Sequence, residues 1–331
     1  MVTAGPGTRG TPGTAWRVVF FGTPAFAVPT LEALLRSRHP VVGVITQPDR
    51  PRGRGHKTTA APVKLLTAAA GVPTFQPQRL RDAAFLNELT ALHADVGVVA
   101  AYGKILTDRV LDVPKRGLLN VHASLLPRYR GAAPVHRAVI AGERETGVTI
   151  MRVVQALDAG PMLARVARPI GAGETSDDVE RDLARLGAAL LVETLDRVAD
   201  GDVTETPQIE SEATYARKLT KEDGLVDWSA PAERIHNLIR GLHPWPHAVT
   251  FLGSRRLILR QSRWTNGRAA DVAAGVIVEA AGDHLAVATG NGILEITEIQ
   301  AEGKRPMTVR EFLPGHPLTP GTRFDSSPIS P

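Results

Sequence analysis

The amino-acid sequence predicts an α/β fold: a Rossmann-like domain on a mostly parallel sheet, followed by a small C-terminal β barrel. Three observations carry that expectation. From residue 17 to residue 121, short apolar runs alternate with helical segments, the pattern of a parallel sheet joined by right-handed crossovers. Beyond residue 220 the pattern changes to short strand-like runs separated by Gly-bearing turns, which suggests a small barrel. A chain of 331 residues, 43% hydrophobic and 22% charged, is long enough for two domains of ordinary size.

Taken in order, Arg17–Gly22 (RVVFFG) reads as a first buried strand, and the turn GTPAFAVPT opens a helix. That turn lacks G-x-G-x-x-G, so a dinucleotide site has little support. Val41–Thr46 is a second strand. Gln47–Ala61 is a loop of about 15 residues, a length that usually signals function or disorder. Pro62 starts a helix that Gly71 ends. Val72–Gln76, Asp95–Ala101 and Leu118–Val121 read as strands, with a helix over Asp82–His93 and Tyr102-Gly103 closing the second of these strands. After a helix at Ala132–Ile140 come strands at Gly147–Val154 and Pro161–Ile170, joined by Ala156–Gly160. Val179, Leu183, Leu186, Leu190, Leu191, Leu195 and Val198 fall at helical spacing, with Thr175 or Ser176 to cap the start and Gly201 to end it. Residues 202–220 are polar and aperiodic and read as a linker. The rest holds one helix, Ala232–Leu242, then PWP and five strand-like runs between Ala248 and Glu298. The expected boundaries are 16–201 and 221–324 for the two domains, with a disordered tail at 1–15 and another tail at 325–331.

Composition narrows the function classes. There are no cysteines, which removes disulfides, thiolate metal sites and thiol nucleophiles and fits a reducing cytoplasm. No apolar run approaches the roughly 20 residues of a membrane span, and residues 1–15 lack the apolar region of a secretory signal. No ligand-spaced set of histidines points to a metal. Net charge is +5, which permits a polyanionic partner without demanding one. The cations are clustered: Arg50, Arg52, Arg54, His56 and Lys57 in one loop, and Arg255, Arg256, Arg260, Arg263 and Arg268 in the second domain. Either cluster is equally the solvated face of an ordinary soluble protein.

The most informative stretch is Asn120–Pro134, NVHASLLPRYRGAAP. Asn120 and His122 stand at i and i+2 at the end of a strand, so their side chains share a side. The carboxyl ends of strands are where open α/β sheets bind ligands. An amide can donate to a developing oxyanion, an imidazole can donate or shuttle a proton, and a carboxylate such as Asp158 can orient the imidazole. The same residues have plain structural uses. Asn often forms a strand-end turn, a lone His is often a satisfied core residue, and Asp before Gly is a turn residue. Spacing alone does not join Asp158 to the pair. Ser124 reads as a loop hydrogen-bonder, so direct transfer between two bound substrates fits better than a covalent intermediate.

Asn120-x-His122 with Ser124-Leu125-Leu126-Pro127 and RYRGAAP resembles the signature of the folate-dependent formyltransferases. Leu157–Met162 (LDAGPM) resembles the family's LDTGxM, which carries an essential aspartate at the position of Asp158. YARKLTKEDGLVDW, LHPWP, ATGNGILEI and EGKRPM extend the similarity over about Arg17 to Phe324. The resemblance implies an OB-like barrel after the formyltransferase domain. It implies transfer of a formyl group from 10-formyltetrahydrofolate to the α-amino group of methionine on the initiator tRNA, by a monomer that needs no metal. Asn120 and His122 would hold the oxyanion, and Asp158 would pair with His122 and assist proton removal. The folate would lie along Ser124, Leu125, Leu126 and Pro127 and against Ala101, Tyr102 and Gly103. The loop resembles the family's QPDRPxGRGKK insertion. Arg54 matches its essential arginine, and Arg52, Lys57 and Lys218 would help hold the tRNA. Phe26 would pack against the methionine side chain.

The chain departs from the pattern at three places. VVQALDAG stands where MDxGLDTG is usual, His56 replaces a Lys, and His247 follows the second Pro of LHPWP where Gly is usual. A sister enzyme acting on an amino-sugar nucleotide would leave the basic loop nothing to hold. A glycinamide ribonucleotide formyltransferase would be shorter and have a phosphate-cradling first turn. A non-catalytic nucleic-acid-binding protein would have no use for Asn120, His122 and Asp158 together.

Overall fold

The computed structural model describes residues 13–52, 57–267 and 272–327. Of the expected tails, 1–15 and 325–331, residues 1–12 and 328–331 fall outside these, as do Arg54, His56 and Arg268. Within the described residues both tails are shorter than expected, because the Gly13 carbonyl accepts from Arg38 at 3.0 Å and Asp325 exchanges two backbone hydrogen bonds with Phe251. The core of the first half is a seven-stranded sheet. Its strands are β1 (Val18–Gly22), β2 (Val41–Ile45), β3 (Thr74–Phe75), β4 (Val96–Ala100), β5 (Leu118–His122), β6 (Glu145–Arg152) and β7 (Met162–Pro169). Their spatial order is β7-β6-β5-β4-β1-β2-β3. The strands β3, β2, β1, β4 and β5 pair in parallel. β6 runs antiparallel to β5, with His122 opposite Thr149 and Asn120 opposite Met151. The sheet is therefore mostly parallel, as the alternation of strands and helices predicts. Residues 123–144 begin and end at the carboxyl end of β5, so β6 enters there and runs back along it.

Burial explains why these runs became strands. β1 is buried at all five positions, as a central parallel strand with helices on both faces must be. Val19, Phe21, Ile45, Phe85, Leu89, Tyr102 and Leu118 form one apolar cluster within the first domain. The basic loop is not wholly irregular: Arg50–Arg52 pairs antiparallel with Lys57–Thr59 as a short hairpin. The long helix Ser176–Ala199 starts at a reciprocal cap, in which the Thr175 N–H donates to the Asp178 carboxylate and the Asp178 N–H to the Thr175 hydroxyl, 3.0 and 3.3 Å.

The chain divides into two compact units, one of residues 1–130, 147–167 and 181–214, the other of 131–146, 168–180 and 215–331. The second unit contains a six-stranded antiparallel sheet consistent with an OB-like domain. Its strands are β8 (Ala248–Leu252), β9 (Arg255–Thr265), β10 (Ile277–Ala281), β11 (His284–Ala288) and β12 (Ile293–Ala301), in the order β8-β9-β12-β11-β10, with Met307–Thr308 added to β12. Trp228 anchors its core, stacked on Phe324 at 5.7 Å, with the indole N–H on the Thr250 hydroxyl at 2.9 Å. In the same unit the helices Pro134–Ile140 and Ala232–Gly241 cross closely. A Cβ on Gly241 would stand 2.5 Å from the Ile140 side chain, so the crossing needs glycine there.

Candidate active site

The carboxyl end of β5 brings together the residues that the sequence singles out. Asn120 is half-buried, and its side-chain amide makes no hydrogen bond among the described residues. Two residues on, His122 is buried. Its Nε2 lies 3.0 Å from the Tyr129 carbonyl oxygen, and its Nδ1 lies 3.7 Å from a carboxylate oxygen of Asp158. A carbonyl only accepts, so Nε2 carries a proton and donates it to Tyr129. Nδ1 is then the ring atom left to face Asp158 and whatever enters between them. The link between Asp158 and His122, which spacing alone leaves open, is present in space. Asp158 adopts φ +48°, a left-handed conformation that Asp tolerates better than most residues.

The turn after His122 is built by side-chain hydrogen bonds. The Ser124 hydroxyl donates to the Arg128 carbonyl at 2.7 Å, which gives it the structural use read from the sequence. Thr149, opposite His122 on β6, donates to the Ser124 carbonyl at 2.7 Å and accepts from the Leu126 N–H at 3.1 Å. Leu126 and Pro127 are joined by a cis peptide, and Leu126 is buried on Met151 and Met162. Leu125 is half-buried.

At the end of neighbouring β4, Ala101 has φ +45° and Gly103 φ +81°. The Tyr102 ring points into the core and packs edge-on against Phe21 at 5.7 Å. Burial pushes the Tyr102 phenol up to about 12, so it is no base near neutral pH. The Tyr102 carbonyl accepts from the Gln47 amide at 2.7 Å and from the Thr23 hydroxyl at 3.2 Å. The positive φ favours glycine at 103, and a Cβ there would stand 2.6 Å from the Gln47 amide nitrogen and displace that side chain from the Tyr102 carbonyl. Ile105 and Leu157 present exposed apolar side chains on the loops that follow β4 and β6, and Gln155 hydrogen-bonds Asp108 between those loops. Phe26 is buried in the turn after β1.

Of the expected tRNA contacts, Arg52 and Lys57 belong to the short hairpin, Arg54 lies outside the described residues, and Lys218 is exposed in the second unit. There, Arg137 and Arg217 both hold Asp223 next to this segment. A cavity of about 390 Å³ lined by Trp16, Lys115, Arg116 and Arg152 lies at the amino ends of β1 and β5, away from Asn120. Among the described residues no group of three or more His, Cys, Asp or Glu is placed to hold a metal ion, and no helix is long and apolar enough to cross a membrane.

Two participants escape the sequence reading. Arg130, in the basic turn, is buried, and Gln208, in the supposed linker, bonds to its guanidinium at 3.0 Å. Neither carries a signal in hydropathy or periodicity. Only the fold brings Gln208 back beside Asp158.

Residues 16–195 match the formyl transferase family, and residues 218–317 match the formyl transferase C-terminal domain. The chain belongs to this family. Among curated relatives, the methionyl-tRNA formyltransferase of Citrifermentans bemidjiense is 45% identical over 93% of this chain and 96% of its own. That of Magnetococcus marinus is 46% identical over 94% of this chain and 99% of its own. The fold is shared at much lower identity. An N-formyltransferase from Helicobacter canadensis, solved with folinic acid and dTDP-3-aminofucose, superposes with a TM-score of 0.66 at 18% identity, over 85% of this chain and 99% of that one. HypX from Aquifex aeolicus, solved with tetrahydrofolic acid, gives 0.62 at 16%, over 91% of this chain and 47% of that one.

Proposed function

We propose that this chain transfers the formyl group of 10-formyltetrahydrofolate to the α-amino group of methionyl initiator tRNA. The observation that carries the chemistry is an uncommitted Asn120 amide beside a His122 whose Nε2 is tied to Tyr129 and whose Nδ1 faces Asp158. The relatives named for this acceptor, aligned over more than nine-tenths of the chain, support the choice of substrate. The folate supplies the carbonyl carbon that the amine attacks. The exposed Ile105 and Leu157 offer a flat ring system apolar surface beside the polar strand end, so the residues fit such a donor.

Asn120 donates its amide N–H to the carbonyl oxygen as that oxygen becomes an oxyanion. His122, whose Nε2 proton is committed to Tyr129, takes the amine's proton at Nδ1 and, as the imidazolium, donates it toward the oxyanion. Asp158 steadies that imidazolium and assists removal of the amine's proton; the bond between the formyl carbon and the folate N10 then breaks, and the proton on Nδ1 goes to the departing N10, which leaves as tetrahydrofolate. An α-amino group with an ordinary pKa near 7.7–8.0 is largely protonated at neutral pH, so that removal is required before attack. Ser124, Leu125, Leu126 and Pro127 with Ala101, Tyr102 and Gly103 form the folate wall, where the inward side chains hold the backbone in shape. Phe26 receives the methionine side chain. Arg52, Arg54, Lys57 and Lys218 neutralise phosphates of the tRNA. The protein acts as a monomer in the cytoplasm.

The test is a choice of acceptor. Purified protein is given 10-formyltetrahydrofolate with methionyl initiator tRNA in one arm and a dTDP-amino sugar in the other. Formyl-methionyl-tRNA is the expected product. Formylation of the sugar nucleotide with none of the tRNA would overturn the reading.

A further inference from the structure

The turn that carries Asp158 lies between β6 and β7, outside both strands, yet two of its carbonyls are captured. The Gln208 Nε2 lies 2.8 Å from the Asp158 carbonyl oxygen and 2.8 Å from that of Gly160. The amide has only one workable orientation. Carbonyls only accept and a guanidinium only donates, so Nε2 must face the two carbonyls and Oε1 must accept from Arg130 Nε, as it does at 3.0 Å. Three of the amide's four hydrogen-bonding capacities are then used.

Gln208 is itself held. Two residues earlier, Thr206 exchanges two backbone hydrogen bonds with Met162, each 2.8 Å, at the start of β7. Arg130 is 1% exposed and also donates through NH1 to both carboxylate oxygens of Glu210 at 3.1 and 2.8 Å. The turn has little room to drift the other way, because a Cβ on Gly160 would stand 1.9 Å from the Arg152 carbonyl oxygen. Both members of the His122–Asp158 pair are thereby referred to one dipeptide. The Tyr129 carbonyl fixes His122, and the Arg130 guanidinium, through Gln208, fixes the backbone of Asp158.

We propose that Gln208 is a positioning residue for formyl transfer, setting through the Asp158 and Gly160 carbonyls where the Asp158 carboxylate stands against His122. This rests on the reaction proposed above. Gln208 touches neither reacting atom in this account, so its loss acts through geometry. A displacement of about 1 Å in a reacting group can cost on the order of 100-fold in rate.

Two isosteric variants separate the functions of the amide. Gln208→Glu keeps an acceptor for Arg130 and replaces the donors with an oxygen aimed at two carbonyls. Gln208→Met keeps the length and removes all three hydrogen bonds. Both should lower the single-turnover rate of formyl transfer by about 10–100-fold, with the KM of folate and tRNA little changed. Both should also move the ¹⁵N signals of the His122 ring in the free protein, assigned by comparison with His122→Gln. Should Gln208→Met not fold, Gln208→Glu and Gln208→Asn carry the same test. Wild-type rate and an unmoved His122 signal in a folded Gln208→Glu protein would overturn the proposal, as would a loss confined to the KM of tRNA. A wild-type protein that formylates no methionyl-tRNA while Gln208→Glu still moves the His122 signal would remove the acceptor reading and leave the positioning role.

Discussion

At the residue scale, the site turns on which nitrogen of His122 is committed. Tyr129 has φ +60°, and its carbonyl receives the Nε2 proton at 3.0 Å. Nδ1 is left toward Asp158 at 3.7 Å, a separation too long for a direct hydrogen bond and within ion-pair distance once Nδ1 carries a proton. Asp158→Asn keeps the backbone that Gln208 grips and removes only the charge. Its turnover should fall by roughly 100-fold or more, the usual scale for a positioned acid–base group, with folate binding retained in equilibrium titration. A smaller effect than that of Gln208→Met would mean that the turn matters for some reason other than its carboxylate. Asn120 and His122 were legible as a pair because strand periodicity alone puts them on one side. Asp158 was legible only through its motif. Arg130 and Gln208 were not legible as partners, since 78 residues separate them and neither sits in a periodic pattern.

At the element scale, the basic loop and the segment after residue 241 make separate predictions. Arg54→Ala should raise the KM for methionyl-tRNA and leave folate affinity unchanged in a binding titration. Unchanged tRNA kinetics would remove Arg54 from the site. In the second unit, His247 has φ +69°, and its Nε2 accepts from Arg260 at 2.6 Å. Burial first, and then the charges of Arg260, His243 and Arg256, push the His247 imidazole down to about 4 from an ordinary 6.5. The unfolded chain therefore binds a proton that the folded chain does not. Stability present above pH 6.5 is lost as pH falls from 6.5 toward 4, by about 3 kcal/mol. His247→Gly should remove that acid sensitivity in urea titrations across this window and also relieve the left-handed backbone. Asp223 acts lower. Burial would raise its carboxyl, but hydrogen bonds from Arg137, the Thr220 N–H and Arg217 outweigh it and hold it at about 2. Its contribution is present above 3.8 and lost as pH falls toward 2, about 2 kcal/mol in all. Asp223→Asn should flatten that part of the stability profile.

At the scale of the molecule, the change from alternating strands and helices to short strand-like runs was readable because each packing solution imposes its own period. The antiparallel entry of β6 was not, because a single apolar strand looks the same in either direction. The polar stretch 202–220 had no period, yet Thr206 and Gln208 are pinned in the first unit while Tyr215 begins the second. Its irregular backbone is satisfied by partners distant in sequence, so no local pattern announces it. In the proposed reaction β5 supports the chemistry, with the amide of Asn120 aimed at the oxyanion. Single-turnover transfer of a labelled formyl group to methionyl initiator tRNA, measured for the wild type and for Asn120→Ala at saturating tRNA, tests that directly. Rapid transfer by the wild type and a rate about 100–1,000-fold lower in the variant, with tRNA affinity intact, are expected. Equal rates, or a variant that loses tRNA binding and keeps its rate once bound, would contradict it.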